Sequence, residues 1–514
     1  MRNIVIVGGG TAGWMAAAAL SKFCAPEQYS ITLVESEAIG TVGVGEATIP
    51  HLRFFNEKLG INENEFMRVT QATYKLGIEF VNWGKLGDAY IHPFGDFGLP
   101  LNDVEFYHYW LMANISKPQR PLFDYSLAVR AAHNGRFAHP RETANPLTGT
   151  YSYAFHIDAS LYAKYLMGFC VERGVNRIEG KIQQVLRDPT TGNITALCLE
   201  DGSQLNGDLF IDCSGFRSLL LGDALGVPFE DWRKWLPCDR AIAVPTVSEG
   251  QPRPYTRAVA HAAGWQWQIP LRHRDGNGHV YASEFMSQED AQAILLANLK
   301  GEPLAKFNRL KFVAGRRSQT WSHNCVAVGL SSGFLEPLES TSIYLIQLAI
   351  MKLVELLPAV DDYTASRAEF NRQLSHEYER VRDFLILHYH VTEREDSAFW
   401  RYCKHMEVPS SLADRIALFK EIGNLDAYHQ GLFLSPSWVA VMIGQGCLPQ
   451  LNNVKLEGLG MPGLEVAMSK MQAEVERIAL QMPSHQQALG KVADTEAGDW
   501  QWPAAAMSLY GVFS

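Results

Sequence analysis

The sequence predicts an α/β fold in which a Rossmann-like dinucleotide-binding module, about residues 1–350, is followed by a mainly helical module, about 351–514. Three observations carry this. A short β-branched apolar run, residues 1–7, passes directly into Gly8, Gly9, Gly10, Thr11, Ala12 and Gly13, which is strand, glycine turn and helix in that order. A second apolar strand, residues 31–35, ends on an acid, Glu35. Beyond residue 350, apolar side chains recur near every 3.6 positions over 365–390, 411–423 and 462–482, the spacing of helices with one buried face.

In the first unit, Gly8 permits the tight turn, Gly10 lets the backbone approach a pyrophosphate, and Gly13 allows the helix to pack closely on the strand. The helix start supplies free amides and a positive dipole end. Glu35, 22 positions after Gly13, stands where an acid accepts the adenosine ribose hydroxyl. NAD and FAD share that adenosine diphosphate end, so the turn does not separate them. Gly40, Gly43 and Gly45 in the loop 38–52 suit a backbone running against something flat such as a flavin ring, although a plain glycine loop reads the same way.

Residues 54–82 contain a helical stretch, then an apolar segment from Tyr74 to Trp83 that includes Lys75. From 88 to 141 the chain is aromatic and irregular, and composition favours core filling over a pocket lining. A helix is expected over 156–174, and a hairpin over 181–199 turning at Thr191, Gly192 and Asn193. Residues 208–214 form a buried strand that ends in Gly215 and returns beside the first one. Residues 240–285 alternate as strands do, which puts Trp265 and Trp267 on one sheet face, an arrangement that ordinary sheet packing explains. A strand over 325–329 leads to a long apolar helix from about 341 to 357, closed by Pro358. Hydroxyl residues at its start are suited to capping, and its free amides to a small anion.

The 514 residues carry a net charge of −10 and no basic run, which points away from nucleic acid and anionic membranes and toward small-molecule partners. Eight scattered cysteines without a CxxC pair read as reduced thiols. With no apolar stretch of membrane-spanning length and no secretory h-region, the expected location is cytoplasmic.

Taken together, GGGTAGW at 8–14, WQWQIP at 265–270 and EPLEST at 336–341 resemble the flavin-dependent tryptophan halogenases. The resemblance is dense to about residue 350 and looser in the helical remainder. It implies an FAD module of the flavin monooxygenase type, with the aromatic-rich insertion of about 88–150 contributing to the substrate site. It places the active-site lysine on Lys75, the glutamate on Glu339 and the halide site on Thr341 and Ser342. FAD contacts fall on Gly8, Gly10, Thr11, Ala12, Gly13, Glu35, Gly45, Glu46, Ala47 and Leu335, and substrate contacts on His92, Phe94 and Trp438. The implied reaction uses reduced FAD, oxygen and chloride or bromide to make hypohalous acid, which travels to the lysine beside an aromatic substrate.

These residue types suit that chemistry. A lysine can hydrogen-bond hypohalous acid or, once desolvated, react with it as a neutral amine. A nearby carboxylate stabilises the cationic ring intermediate and takes its proton. No second nucleotide fingerprint is present for NAD(P)H, so a separate flavin reductase is the implied electron source. The stretch 435–441 lacks the tyrosine pair of tryptophan-specific relatives and forms a more apolar wall, which favours indole or a simple substituted indole over free tryptophan. A flavin-dependent aromatic hydroxylase would share the module and differ in halide dependence, while a flavin or indole binder without turnover would be indifferent to loss of the Lys75 amine. A homodimer is one assembly that the sequence leaves open.

Overall fold

The structure is a computed structural model and describes residues 1–36, 46–118, 120–357, 364–425, 431–450, 456 and 461–494. Gly40, Gly43, Gly45 and Pro358 lie outside the described residues. The amino-terminal unit forms as expected. Strand Arg2–Val7 runs parallel to Tyr29–Glu35 on one side and to Leu209–Asp212 on the other, with Ile4 opposite both Ile31 and Leu209. The sheet has six strands, in the order Trp321–Ser322, Cys325–Ala327, Leu209–Asp212, Arg2–Val7, Tyr29–Glu35, Asn176–Glu179. The second strand-to-glycine junction therefore does return beside the first. Helix Thr11–Phe23 buries Ala16, Ala17, Ala18 and Ala19, small side chains that let it lie close against the helices Ala159–Val171 and Ser342–Leu356.

A second sheet of seven strands carries the tryptophan motif: Asn308–Lys311, Arg240–Thr246, Asp275–Tyr281, Gly264–Pro270, Thr256–His261, Gly77–Val81, Ala89–Pro93. Trp265 and Trp267 share a face of Gly264–Pro270, with ring centroids 6.2 Å apart. A third, small sheet joins Glu46–Ala47, Ala154–Ile157 and Thr73–Lys75. The chain steps from this small sheet to the large one at Leu76, so Lys75 ends one sheet immediately before Gly77 begins the other. Gly77 is needed there, because a Cβ would meet the His92 carbonyl oxygen at 2.4 Å.

Three expectations are corrected. The stretch 88–141 is not irregular: it contains strand Ala89–Pro93 and helices Phe106–Ser116 and Leu127–His133. The helix expected over 156–174 is Ala159–Val171, because Asp158 caps it by accepting from the amides of Ser160 and Leu161, and residues 154–157 pair as strand. Thr341 does not cap the long helix Ser342–Leu356: its backbone is already helical, at φ −85° and ψ −11°, so the hydroxyl does not reach the first-turn amides. Among the described residues no helix is long and apolar enough to cross a membrane. All eight cysteines are free.

Candidate active site

Lys75 is wholly buried, and its Nζ donates to the Thr48 carbonyl and to Ser340 Oγ, both at 2.9 Å. Burial pulls its pKa down to about 7, against the opposing influence of Glu339. Phe94 faces the amine with its ring centroid 5.1 Å away. Ser340, the hydroxyl partner, adopts a left-handed backbone at φ +60°, an unfavourable conformation for serine that turns the chain sharply between Glu339 and the helix.

One residue before that turn, Glu339 is enclosed by two histidines. His92 Nδ1 lies 2.9 and 3.0 Å from its two oxygens. His388 Nε2, on helix Thr364–His390, lies 2.8 Å from Oε1 in a close contact without hydrogen-bond alignment. Burial opposes ionisation of Glu339, but the two histidines outweigh it and pull the carboxyl down to about 2. One residue after the turn, the Thr341 hydroxyl is buried with no hydrogen-bond partner, and the first helical turn carries neither a side-chain cap nor an acid. Uncapped amides beside an unused hydroxyl suit a small anion. The carboxylate and the anion-suited helix start thus lie on one short run, 339–342, and its Ser340 binds Lys75.

The same run is anchored three residues upstream. Glu336 is buried and its Oε2 accepts from Trp265 Nε1 at 3.0 Å and from Tyr389 Oη at 2.8 Å. Burial pushes its carboxyl up to about 7 against those two hydrogen bonds. The tryptophan motif is therefore more than sheet packing: it holds the segment that carries Glu339.

An aromatic wall adjoins the carboxylate. Phe384 stacks on Phe433 with centroids 3.8 Å apart, and it meets the rings of His92 at 5.6 Å, His388 at 5.1 Å and Trp438 at 5.1 Å. Of the sequence-predicted residues, Lys75, Glu339, Thr341, Ser342, His92 and Phe94 come together here, and Trp438 joins them through Phe384. Thr48, Ser340, Phe384, His388 and Phe433 were missed. The histidines in LILHYH at 385–390 were the available signal, since an imidazole in an otherwise apolar helix needs a polar partner.

The glycine turn lies elsewhere, reached through the packing of Thr11–Phe23 on Ser342–Leu356. It fits a dinucleotide. A Cβ on Gly10 would meet nothing within 4 Å, so the turn opens onto space, and the helix at Thr11 has no side-chain cap. Gly13 is required for close packing, since its Cβ would stand 1.8 Å from the Gly8 carbonyl oxygen. Glu35 lies alongside this turn and binds Arg177 at 2.6 Å. Glu46 and Ala47 form the short strand opposite Ile157 and His156, and Leu335 is buried at the head of the 336–342 run.

The sequence model of the tryptophan halogenase family matches residues 3–458. The chain belongs to the tryptophan halogenase family. A tryptophan 6-halogenase from Streptomyces toxytricini is 39% identical over 87% of this chain and 90% of its own length. Among solved structures, a flavin-dependent halogenase from Xanthomonas campestris shares 47% identity at a TM-score of 0.92, covering 97% of this chain and 99% of that one. Another, from Brevundimonas sp. BAL3, shares 44% at a TM-score of 0.91, covering 96% and 99%. This halogenase is accordingly a flavin-dependent enzyme. The parallel strands around its glycine turn form a Rossmann-like arrangement suited to a dinucleotide.

Proposed function

We propose that the enzyme uses FAD, reduced by a separate flavin reductase, to halogenate an indole-type substrate that lies between Lys75 and the aromatic wall of His92, Phe384, Phe433 and Trp438. The observation that carries this is the buried Lys75 amine, bound to Ser340 on the run that also bears Glu339 and the uncapped helix start. When bound, reduced FAD supplies, with oxygen and halide, the oxidised halogen. Gly8, Gly10, Thr11, Ala12 and Gly13 would hold its pyrophosphate, Glu35 its ribose, and Glu46, Ala47 and Leu335 its further contacts. Thr341 and Ser342 hold chloride or bromide by an otherwise idle hydroxyl and helix amides, without a competing side-chain charge. Lys75 receives the hypohalous acid and presents the halogen to the ring, and Glu339 accepts the proton that the ring then loses. The test is an incubation with FAD, reductase, NADH, oxygen and each halide over an indole panel: halide-dependent products with the halogen isotope pattern are expected, and hydroxylated products without them would overturn the reading.

The glycine turn and the strand pairing around it form one nucleotide-binding unit, and it is assigned to FAD. NADH alone is therefore expected to leave the bound flavin oxidised, while added reductase or chemically reduced FAD restores turnover. Rapid bleaching of the flavin by NADH in the purified protein would reveal a nicotinamide site within this chain.

The substrate follows from the wall at 435–441. Helix Ser435–Gly444 buries Trp438, Val439, Ala440 and Val441, and no tyrosine pair stands there to meet a zwitterion. Burying either charge of free tryptophan unpaired costs several kcal/mol. Indole is therefore expected to show a higher kcat/KM than L-tryptophan under one halide, and a clear preference for tryptophan would refute this assignment.

A further inference from the structure

The two imidazoles against Glu339 differ in which nitrogen bears the proton. His92 turns Nδ1 toward the carboxylate, which only accepts, so that nitrogen donates. His388 turns Nδ1 toward the Phe384 carbonyl at 2.9 Å, which also only accepts, so Nδ1 carries the proton and Nε2 holds a lone pair whenever the ring is neutral. That Nε2 is 2.8 Å from Glu339 Oε1, wholly buried, and makes no aligned hydrogen bond. The offset spares the lone pair a head-on approach to the carboxylate oxygen. Glu339 thus has a donor on one side and a waiting acceptor on the other.

The geometry points to His388 as a positioning residue that relieves Glu339 of the proton released when the halogenated ring regains aromaticity, a role that rests on the assignment of Glu339 as first acceptor. The C–H bond at the halogenated carbon breaks, its electron pair returns to the ring, and the proton forms an O–H bond on Glu339. That O–H bond then breaks toward Nε2, which leaves a carboxylate and an imidazolium, and the imidazolium discharges its proton between turnovers. No oxidant or reductant is consumed. The need for a second acceptor is physical: a carboxylate that accepts from His92 Nδ1 at both oxygens is stabilised as the anion and is a poor resting place for a proton. Among the described residues, His388 Nε2 is the acceptor within hydrogen-bond distance of it. The titratable groups around the pair are His92 and Tyr90 from Ala89–Pro93 and Lys75 from Thr73–Lys75, while Gln445 binds the His388 carbonyl at 2.9 Å.

The test compares indole with ring-deuterated indole in the reductase-coupled enzyme. Wild type is expected to show no isotope effect on product formation, because the ring proton has a ready path away. His388→Gln is expected to keep FAD binding and oxygen uptake, to form product about 10-fold more slowly, and to show a normal primary isotope effect because proton removal has become limiting. A merely structural role would slow turnover without creating that isotope effect, and such a result overturns the proposal. Should His388→Gln fail to fold, His388→Asn, which can still donate to the Phe384 carbonyl but offers no imidazole acceptor to Glu339, is measured in the same way, and turnover slowed there without an isotope effect overturns the proposal. Nitrogen-15 NMR of the histidines gives a readout independent of turnover, with a neutral Nδ1–H tautomer expected at His388 and an Nε2–H tautomer counting against it. Absence of halogenated product from wild type with every arene would instead refute the proposed function itself.

Discussion

Lys75→Ala is expected to bind FAD and consume oxygen like wild type while forming no halogenated product. The amine lies at the end of a sheet, tied to Thr48 and Ser340, and its assigned work follows the oxygen step. Removing it leaves the glycine turn and the six-stranded sheet untouched, so flavin chemistry continues and the oxidised halogen escapes. The measurement is a paired one, oxygen uptake against product by mass spectrometry. Product formation at the wild-type rate would remove Lys75 from the mechanism. The pH dependence of the wild type adds a second check. With its pKa pulled down to about 7 by burial, the amine is an ammonium below that pH and neutral above it. A neutral amine still has two N–H bonds for Thr48 and Ser340 and gains a lone pair that can take the halogen, so the rate of halogen transfer is expected to rise through about pH 7. A rate that falls through the same range would assign the work to the ammonium as a hydrogen-bond donor.

Glu339→Gln is expected to lower turnover by about 10², the usual scale for losing a positioned proton acceptor, which corresponds to about 2.7 kcal/mol of barrier. The glutamine keeps the size of the side chain and can still accept from His92, so folding and FAD binding are expected to persist. It cannot carry the negative charge that balances a cationic ring. A steady-state kcat close to wild type would return Glu339 to a structural role at the start of the helix.

The dinucleotide unit was readable in the sequence because it is local. Strand, turn, helix, strand and acid follow one another within 35 residues, and each local preference agrees with the others. The active site was not, because its pieces come from distant parts of the chain. Lys75 meets an oxygen 27 residues before it and a hydroxyl 265 residues after it, and no property of the lysine's own neighbours announces either. Read without the family resemblance it is an ordinary lysine with a buried stem. Helix Phe106–Ser116 escaped notice for a related reason. FYHYWLMANIS is apolar on nearly every side, so the two-sided pattern that marks a surface helix is absent. Thr341 misled in the opposite direction: a hydroxyl before a helix normally caps it, and only its already helical backbone reveals that this one is left for another partner.

Helix Thr364–His390 places His388 against Glu339 and the very next residue, Tyr389, against Glu336. Neighbouring side chains on a helix diverge by roughly 100°, so one rigid rod grips the catalytic run from two directions at once. A slip of that rod by a single residue, about 1.5 Å along its axis, would release both grips together. This makes the halogenase a machine with a fixed part and an interchangeable one. Segment 336–342, the tryptophan motif and the rod have to change in concert or not at all, whereas helix Ser435–Gly444, which holds neither carboxylate, is free to be recut for a new substrate without disturbing the chemistry.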